Sequence, residues 1–469
     1  MASAEVSHHG ADSSPVWWSV SQLKSAYLKG RLSPVDVAHE VLRRVDAYDP
    51  QLRAFVTVTR KLLLELATEA ESAYRRGEVA PLLGIPVSVK DVFHIAGVET
   101  SYGSLVHRGE VAKQDSGTVT RLRRAGATFV GKTNTAEFGQ SATTENRILP
   151  DTANPWDTGR TPGGSSGGAA ASVAAGLSVV ALGSDGGGSI RIPAAFTGLV
   201  GFKPTTGSCR DEYGFRAMVD FVSPGPMARR AADVRIALEV LSDRSLPRDE
   251  SNRPRRVGWC PRPEGRPVEE EIQRILEDVA GLVADMGVKM VETDPPLQGW
   301  QEIFGPLVLA DELRERGHLL ATAPDLLSDY ERRSLEAARE MDPKSVARAR
   351  AALPEYRRRV AEVFDKFDAL LLPAVAVSAF PLRTRPREVA GESVDRLWGA
   401  FPFAVPFNVA GNPAVTVPVG LAEGLPVGAQ LVGPNGSEAS LLELCESIEE
   451  AVAFPFDSVE ALWPALSES

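Results

Sequence analysis

Two glycine-rich runs present serines where few other side chains fit, GGSSGG at 163–168 and GSDGGGSIR at 183–191. A phosphate cradle of the GxxxxGK[ST] kind needs a lysine in fixed register, and neither run supplies one. GSDGGGSIR also misses the GxGxxG spacing of a dinucleotide site. A nucleophile elbow is closer, because Gly163, Ser165 and Gly167 read GxSxG and a second frame centres on Ser166. That motif calls for a preceding strand and a downstream histidine. Here it follows the loop-like NPWDTGRTP, and the one later histidine, His318, lies in a charged helical stretch. A third reading joins the runs into one device. The backbone N–H groups of Gly186, Gly187, Gly188 and Ser189 converge as an oxyanion hole, and Ser189 is the nucleophile. Close passage of two backbones is the non-catalytic reading of the same glycines.

A nucleophilic serine needs a base, and no histidine stands near Ser189 in the sequence. Lys90, in the run GIPVSVKD, serves if its amine is neutral. Its pKa must then fall from ~10.4 to near neutrality, ~4 kcal/mol, which desolvation in a dry pocket supplies. Ser165 can bridge the two groups, since a hydroxyl accepts from one partner while donating to another.

These groups need a scaffold, and 469 residues with 43% apolar and 24% charged side chains describe an ordinary globular chain with a large core. GIPVSVKDVF (84–93) reads as a strand, SGTVTRLRRAGA as a helix and TFVGKTN as a buried strand, which makes a strand–helix–strand unit. RRVGWC, EEIQRILEDVAGLVADMG and VKMVET repeat that pattern further on. Ser33 and Pro34 read as the cap and first turn of a helix. Residues 310–368 are charged and helical, and DALLLPAV, AVTVPVG and VGAQLVG are short strands before a last helix at SLLELCESIEEAV. One large α/β domain over 16–469 fits better than three separable ones, behind a disordered tail at 1–15. The tail lacks the basic and apolar regions of an export signal, and no stretch reads as a membrane span.

A net charge of −11 argues against a nucleic-acid surface. Cys209, Cys260 and Cys445 are far apart, as in a reduced cytoplasmic protein, and neither they nor the six histidines have zinc-site spacing.

GGSSGG followed by GSDGGGSIRIPAAFTGLVGFKPT, with GIPVSVKD upstream, resembles the amidase signature family of Ser–cis-Ser–Lys hydrolases. The 24 residues that separate Ser165 from Ser189 are the family spacing. The likeness runs on through TNTAEFG, NPWD, SPGPMARRAADV and NVAGNPAVTVPVG to GLPVGAQLVG, from about residue 20 to 450. It implies a mixed, twisted central sheet covered by helices on both faces, with 251–400 as the more variable, substrate-shaping part. It also implies Ser189 as nucleophile, Ser165 as relay after a cis peptide bond, Lys90 as base, and Ser166, Asp185 and Arg191 as supports. Many members carry threonine or isoleucine where this chain has Gly186.

The implied reaction is hydrolysis of a small-molecule amide, ester or carbamate by water, with no metal or organic cofactor and neither nucleic acid nor membrane as partner. A homodimer is compatible with the likeness. One branch of the family hydrolyses glutamine within a tRNA-dependent amidotransferase, as one of its subunits, and places a carboxylate near the segment approaching NVAG. In this chain that segment is LWGAFPFAVPFNVAG, with Phe401, Phe403 and Phe407 and no carboxylate closer than Asp395. It favours a free-standing hydrolase of the arylacylamidase or urethane-cleaving kind. Core packing is the plainer explanation of the phenylalanines. As pocket walls the reading offers Tyr102, Phe138, Trp398, Phe401 and Phe403.

Overall fold

Eleven short strands form one continuous mixed sheet in the computed structural model, which describes residues 14–464. In chain order they are β1 (Phe55–Val58), β2 (Pro86–Lys90), β3 (Thr128–Thr133), β4 (Val180–Asp185), β5 (Val200–Lys203) and β6 (Ser223–Ala228). The second half adds β7 (Arg256–Trp259), β8 (Lys289–Glu292), β9 (Ala369–Pro373), β10 (Ala414–Ala422) and β11 (Leu425–Val432). Their order across the sheet is β1-β3-β2-β4-β6-β5-β10-β11-β9-β7-β8. β2 runs parallel to both β3 and β4, and β7 is parallel to β8 and β9, while the remaining pairs are antiparallel. Helices flank the sheet, as the α/β reading expected.

The two strand–helix–strand units appear where the sequence placed them, with the Gly117–Arg124 helix between β2 and β3 and the Glu270–Asp285 helix between β7 and β8. Ser33 accepts from Val35 N at 3.0 Å and Pro34 opens the Pro34–Leu52 helix, so the polar cap and the fixed proline φ start it together. The stretch that joins the glycine runs divides. Gly167–Ala174 is helix, Gly176 turns the chain at φ +66°, and Val180–Asp185 is β4.

Most of the tail expected at 1–15 lies outside the described residues. Within it, Ser14 Oγ donates to Glu40 Oε1 at 2.9 Å and Pro15 begins a 3-10 turn to Trp17. Among the described residues, no helix is long and apolar enough to cross a membrane.

The parallel trio β3-β2-β4 decides where chemistry is possible. Val89 lies opposite Leu182, so Lys90 and Asp185 end neighbouring strands at the same edge of the sheet. Side chains and loops gather there, outside the carboxyl ends of parallel strands. The far half of the sheet anchors this edge through buried aliphatic residues such as Leu371, fully enclosed between Leu431 and Trp259 on its two neighbours. Leu371→Ala removes buried methyl groups and leaves a cavity. We expect it to cost ~2–5 kcal/mol, read as a lowered urea midpoint.

Candidate active site

β2 carries Lys90 into the interior as a fully buried amine. Its Nζ lies 2.6 Å from Ser165 Oγ and 2.8 Å from Ser184 Oγ. Neither partner carries charge. The carboxylate next in sequence, Asp91, accepts instead from Lys132 Nζ at 2.7 Å and from Ser101 N at 3.0 Å. Burial accordingly pushes the Lys90 amine down to about 7, against a smaller opposing pull from the charge of Asp185.

Ser165 follows a cis peptide bond from Gly164 and stands just before the Gly167–Ala174 helix. A Cβ on Gly164 would fall 2.6 Å from the Thr143 carbonyl carbon, so glycine is required there for close approach. The close passage of two backbones expected of these glycines is present at this position. Ser166 fastens the run to the next one. Its N donates to Ser189 O at 3.2 Å, its Oγ donates to Ser184 O at 3.2 Å, and Ser184 N donates back to that Oγ at 3.3 Å. The two glycine runs are thus joined through the backbone one residue from Ser165, whose Oγ is the one bonded to Lys90.

Asp185 organises the second run. Its carboxylate accepts from the backbone N of Gly188 (2.7 Å), Ile190 (3.2 Å) and Arg191 (3.4 Å), and from Arg191 Nε and Nη2 at 2.9 Å each. Asn408 Nδ2 adds a bond at 2.8 Å. Burial alone would push this carboxyl up. The charge and hydrogen bonds of Arg191, with Asn408 and Lys203, outweigh burial and hold it well below the usual carboxylate range. Arg191 in turn donates to Gln430 Oε1 (2.6 Å), Asn408 Oδ1 (2.6 Å) and Ala404 O (3.0 Å), which ties the loop to the 404–408 segment and to β11. Ser166, Asp185 and Arg191, the residues expected as supports, all make hydrogen bonds within or between the two glycine runs.

One expected donor is otherwise engaged. The N–H of Gly188, expected among the four oxyanion donors, donates instead to Asp185 Oδ1 at 2.7 Å. Gly188 has φ +107°, and a Cβ there would fall 2.7 Å from both Ile192 Cδ1 and Ala404 Cβ. Sequence reading also missed Ser184, Asn408 and Gln430. Asn408 and Gln430 stand inside NVAG and VGAQLVG, as polar residues in otherwise apolar runs, which is a usable signal.

The aromatic candidates separate into groups. Trp398 packs edge-on against Phe304, whose Cζ lies 3.2 Å from where a Gly187 Cβ would stand. Tyr102 and Phe138 join Phe215 in another cluster, with rings 4.7 Å and 6.2 Å from it, beside Gly139 and Ser165. Phe401 is buried against Phe196 and Phe380, and Phe403 is buried with its carbonyl accepting from Gln430 Nε2. Core packing accounts for both. Asp395 accepts from Leu397 N and Trp398 N within its own exposed turn. His318 is exposed, which leaves the elbow reading without a buried base.

A family model described as Amidase matches residues 36–442. The chain belongs to the amidase signature family. It is an amide-hydrolysing enzyme, as the members of that family are. It is 32% identical to an acylamidase of Rhodococcus erythropolis over 92% of this chain and 95% of that one. It is also 32% identical to a glutamyl-tRNA(Gln) amidotransferase subunit of Carboxydothermus hydrogenoformans, over 90% and 95%. The solved structure of a bacterial aryl acylamidase superposes with a TM-score of 0.87 at 26% identity, covering 97% of this chain and all of that one.

Asp185→Asn removes the charge that offsets buried Arg191. We expect a loss of ~3–5 kcal/mol, seen as a lowered denaturation midpoint even with no substrate present.

Proposed function

We propose that this enzyme is a free-standing hydrolase of amides with apolar acyl or aryl groups, with esters and carbamates as further substrates. The reaction is carried by Ser189, Ser165 and Lys90. The neutral Lys90 amine takes the Ser165 proton while Ser165 takes that of Ser189, whose oxygen adds to the carbonyl carbon. The negative oxygen is held by N–H groups of Gly186, Gly187 and Ser189, each worth ~3–4 kcal/mol in comparable sites. The proton then returns from Lys90 through Ser165 to the leaving nitrogen, the C–N bond breaks, and an acyl-Ser189 ester remains. Water, deprotonated by the same relay, releases the acid.

The observation that carries this reading is the 2.6 Å contact between Ser165 Oγ and a buried lysine without a carboxylate partner. An apolar substrate is supported by Phe304, Val405 and Met218 against the glycine loop and by the engagement of Asp395 in its own turn. The acylamidase relative supports it too. The equally similar amidotransferase relative makes glutamine hydrolysis within a larger complex the rival reading. The purified chain decides, because hydrolysis of p-nitroacetanilide without partner proteins supports the free-standing enzyme, and activity on glutamine alone, in the presence of partners, rejects it. The buried free thiols Cys209, Cys260 and Cys445 suit a reducing cytoplasm.

Ser189→Ala should leave less than a few per cent of kcat, Lys90→Ala should be nearly as damaging, and His318→Ala should be silent. Steady-state rates on one anilide check all three. Activity lost with His318 would return the elbow reading.

The pH dependence follows from the amine. Protonated Lys90 cannot take a proton, so kcat/KM should fall about tenfold per pH unit below the pKa and level off above it. The inflection is expected near 7, measured as the acid limb of a pH–rate profile.

A further inference from the structure

A Cβ built on Gly186 falls 2.5 Å from Met218 Sδ, with Met218 Cβ and Cγ at 3.4 and 3.5 Å. No side chain fits at 186 unless Met218 moves. One residue on, a Gly187 Cβ would meet Phe304 Cζ at 3.2 Å and Val405 Cγ2 at 3.6 Å. Met218 and Phe304 therefore cover two of the three residues assigned to hold the carbonyl oxygen, and both are apolar.

Met218 is placed by its loop. Its backbone is left-handed at φ 48°, and its carbonyl accepts from Phe221 N at 2.8 Å and Val222 N at 2.9 Å. Val219 N donates to Asp311 Oδ2 at 3.0 Å, and Arg316 Nη1 donates to Arg216 O at 3.1 Å. Asp311 and Arg316 belong to the Trp300–Arg316 helix, which also carries Phe304. Phe304 is held in turn by the rings of Phe221, 5.3 Å away, and Trp398, 5.6 Å away. One helix thus sets both parts of the wall, one directly and the other through the loop it grips.

We propose that Met218 is a specificity-determining residue, whose thioether occupies the space a side chain at 186 would fill and limits the bulk of the acyl group beside the oxyanion loop. The proposal rests on the reading of Ser189 as nucleophile. Methionine is unbranched and adaptable, so slender apolar acyl groups pass beneath it. Phe304, clamped between two other rings, is the fixed part of the wall. A branched or aromatic acyl group has to displace the thioether.

The test measures kcat and KM for acetyl and benzoyl p-nitroanilides with the full chain and four variants: Met218→Ala, Met218→Leu, Gly186→Ala, and Gly186→Ala combined with Met218→Ala. Met218→Ala should raise the benzoyl-to-acetyl ratio of kcat/KM about tenfold or more, the scale on which small changes in an apolar pocket discriminate. Met218→Leu, of similar volume, should keep the wild-type ratio. Gly186→Ala alone should lower kcat/KM, and the added Met218→Ala should restore much of it, a coupling that separate sites do not show. A Met218→Ala ratio within about twofold of wild type, or effects at 186 and 218 that merely multiply, overturns the proposal. If Gly186→Ala does not fold, as its melting curve would show, the two Met218 variants decide alone. Intact-mass detection of the acyl-Ser189 adduct separates the two readings. Adduct formation with unchanged acyl preference sinks Met218 only, whereas an active Ser189→Ala enzyme sinks the mechanism beneath it.

Discussion

Lys90 is buried without a counter-charge, and the surroundings keep it so. Two carboxylates are close at hand, one next in sequence and one at the end of the adjoining strand. Asp91 is bonded to Lys132, and Asp185 is bonded to Arg191. With both engaged, burial dominates the amine and brings it to about 7, roughly 5 kcal/mol away from an exposed lysine. A free carboxylate at hydrogen-bond distance would restore the charge and remove the base. In the proposed mechanism the neighbouring ion pairs thus keep the base neutral although neither touches the relay. Lys132 and Lys203 are as deeply buried as Lys90, yet neither reaches a serine of the glycine runs, since Lys132 donates to Asp91 and Lys203 to the carbonyl of Pro204.

The Asp185–Arg191 pair does a second job. A carboxylate that gathers three backbone donors within four residues, Gly188, Ile190 and Arg191, bends the chain tightly around itself, and in the proposed mechanism that bend presents Ser189 to the relay. The cost of burying the pair is met because Arg191 also satisfies Asn408, Gln430 and a backbone carbonyl. Residues more than 200 positions away in the chain therefore hold a turn of seven. Gly188 is the concession to this geometry, in a backbone conformation that few side chains tolerate.

How far this was legible follows from the kind of contact involved. Lys90, Ser165 and Ser189 were readable because each stands in a long local motif, and the parallel units at β2–β3 and β7–β8 because apolar runs alternate there with helical periodicity. Ser184 was not, as a serine in a strand before an aspartate looks like any edge residue until β4 is laid beside β2. Nor was the diversion of the Gly188 N–H, which depends on the loop folding back on Asp185. β6 was hidden by its own sequence, SPGPMA, whose prolines argue against an interior strand. It fits because β5 pairs only with Met227 and Ala228, so Pro224 and Pro226 need to match β4 alone. The phenylalanines before NVAG were ambiguous for a similar reason, since an apolar run does not say which rings face the core.

The edge formed by β2 and β4 fixes the proposed reacting groups through strand register and buried charge, and both tolerate little change. What lies over that edge is of another kind. Phe304 comes from a helix and Met218 from a loop of 205–222 that the helix holds by hydrogen bonds from Asp311 and Arg316 to its backbone and by ring contacts to Phe215 and Phe221. The two hydrogen bonds to backbone hold the path of the loop on either side of Met218 without engaging its side chain. A wall built this way can be altered without disturbing Lys90, Ser165 or the turn around Asp185. The separation of a rigid proton path from a replaceable cover is a physical reason why one sheet edge can serve many acyl groups, and here the cover is apolar where it meets the glycine loop.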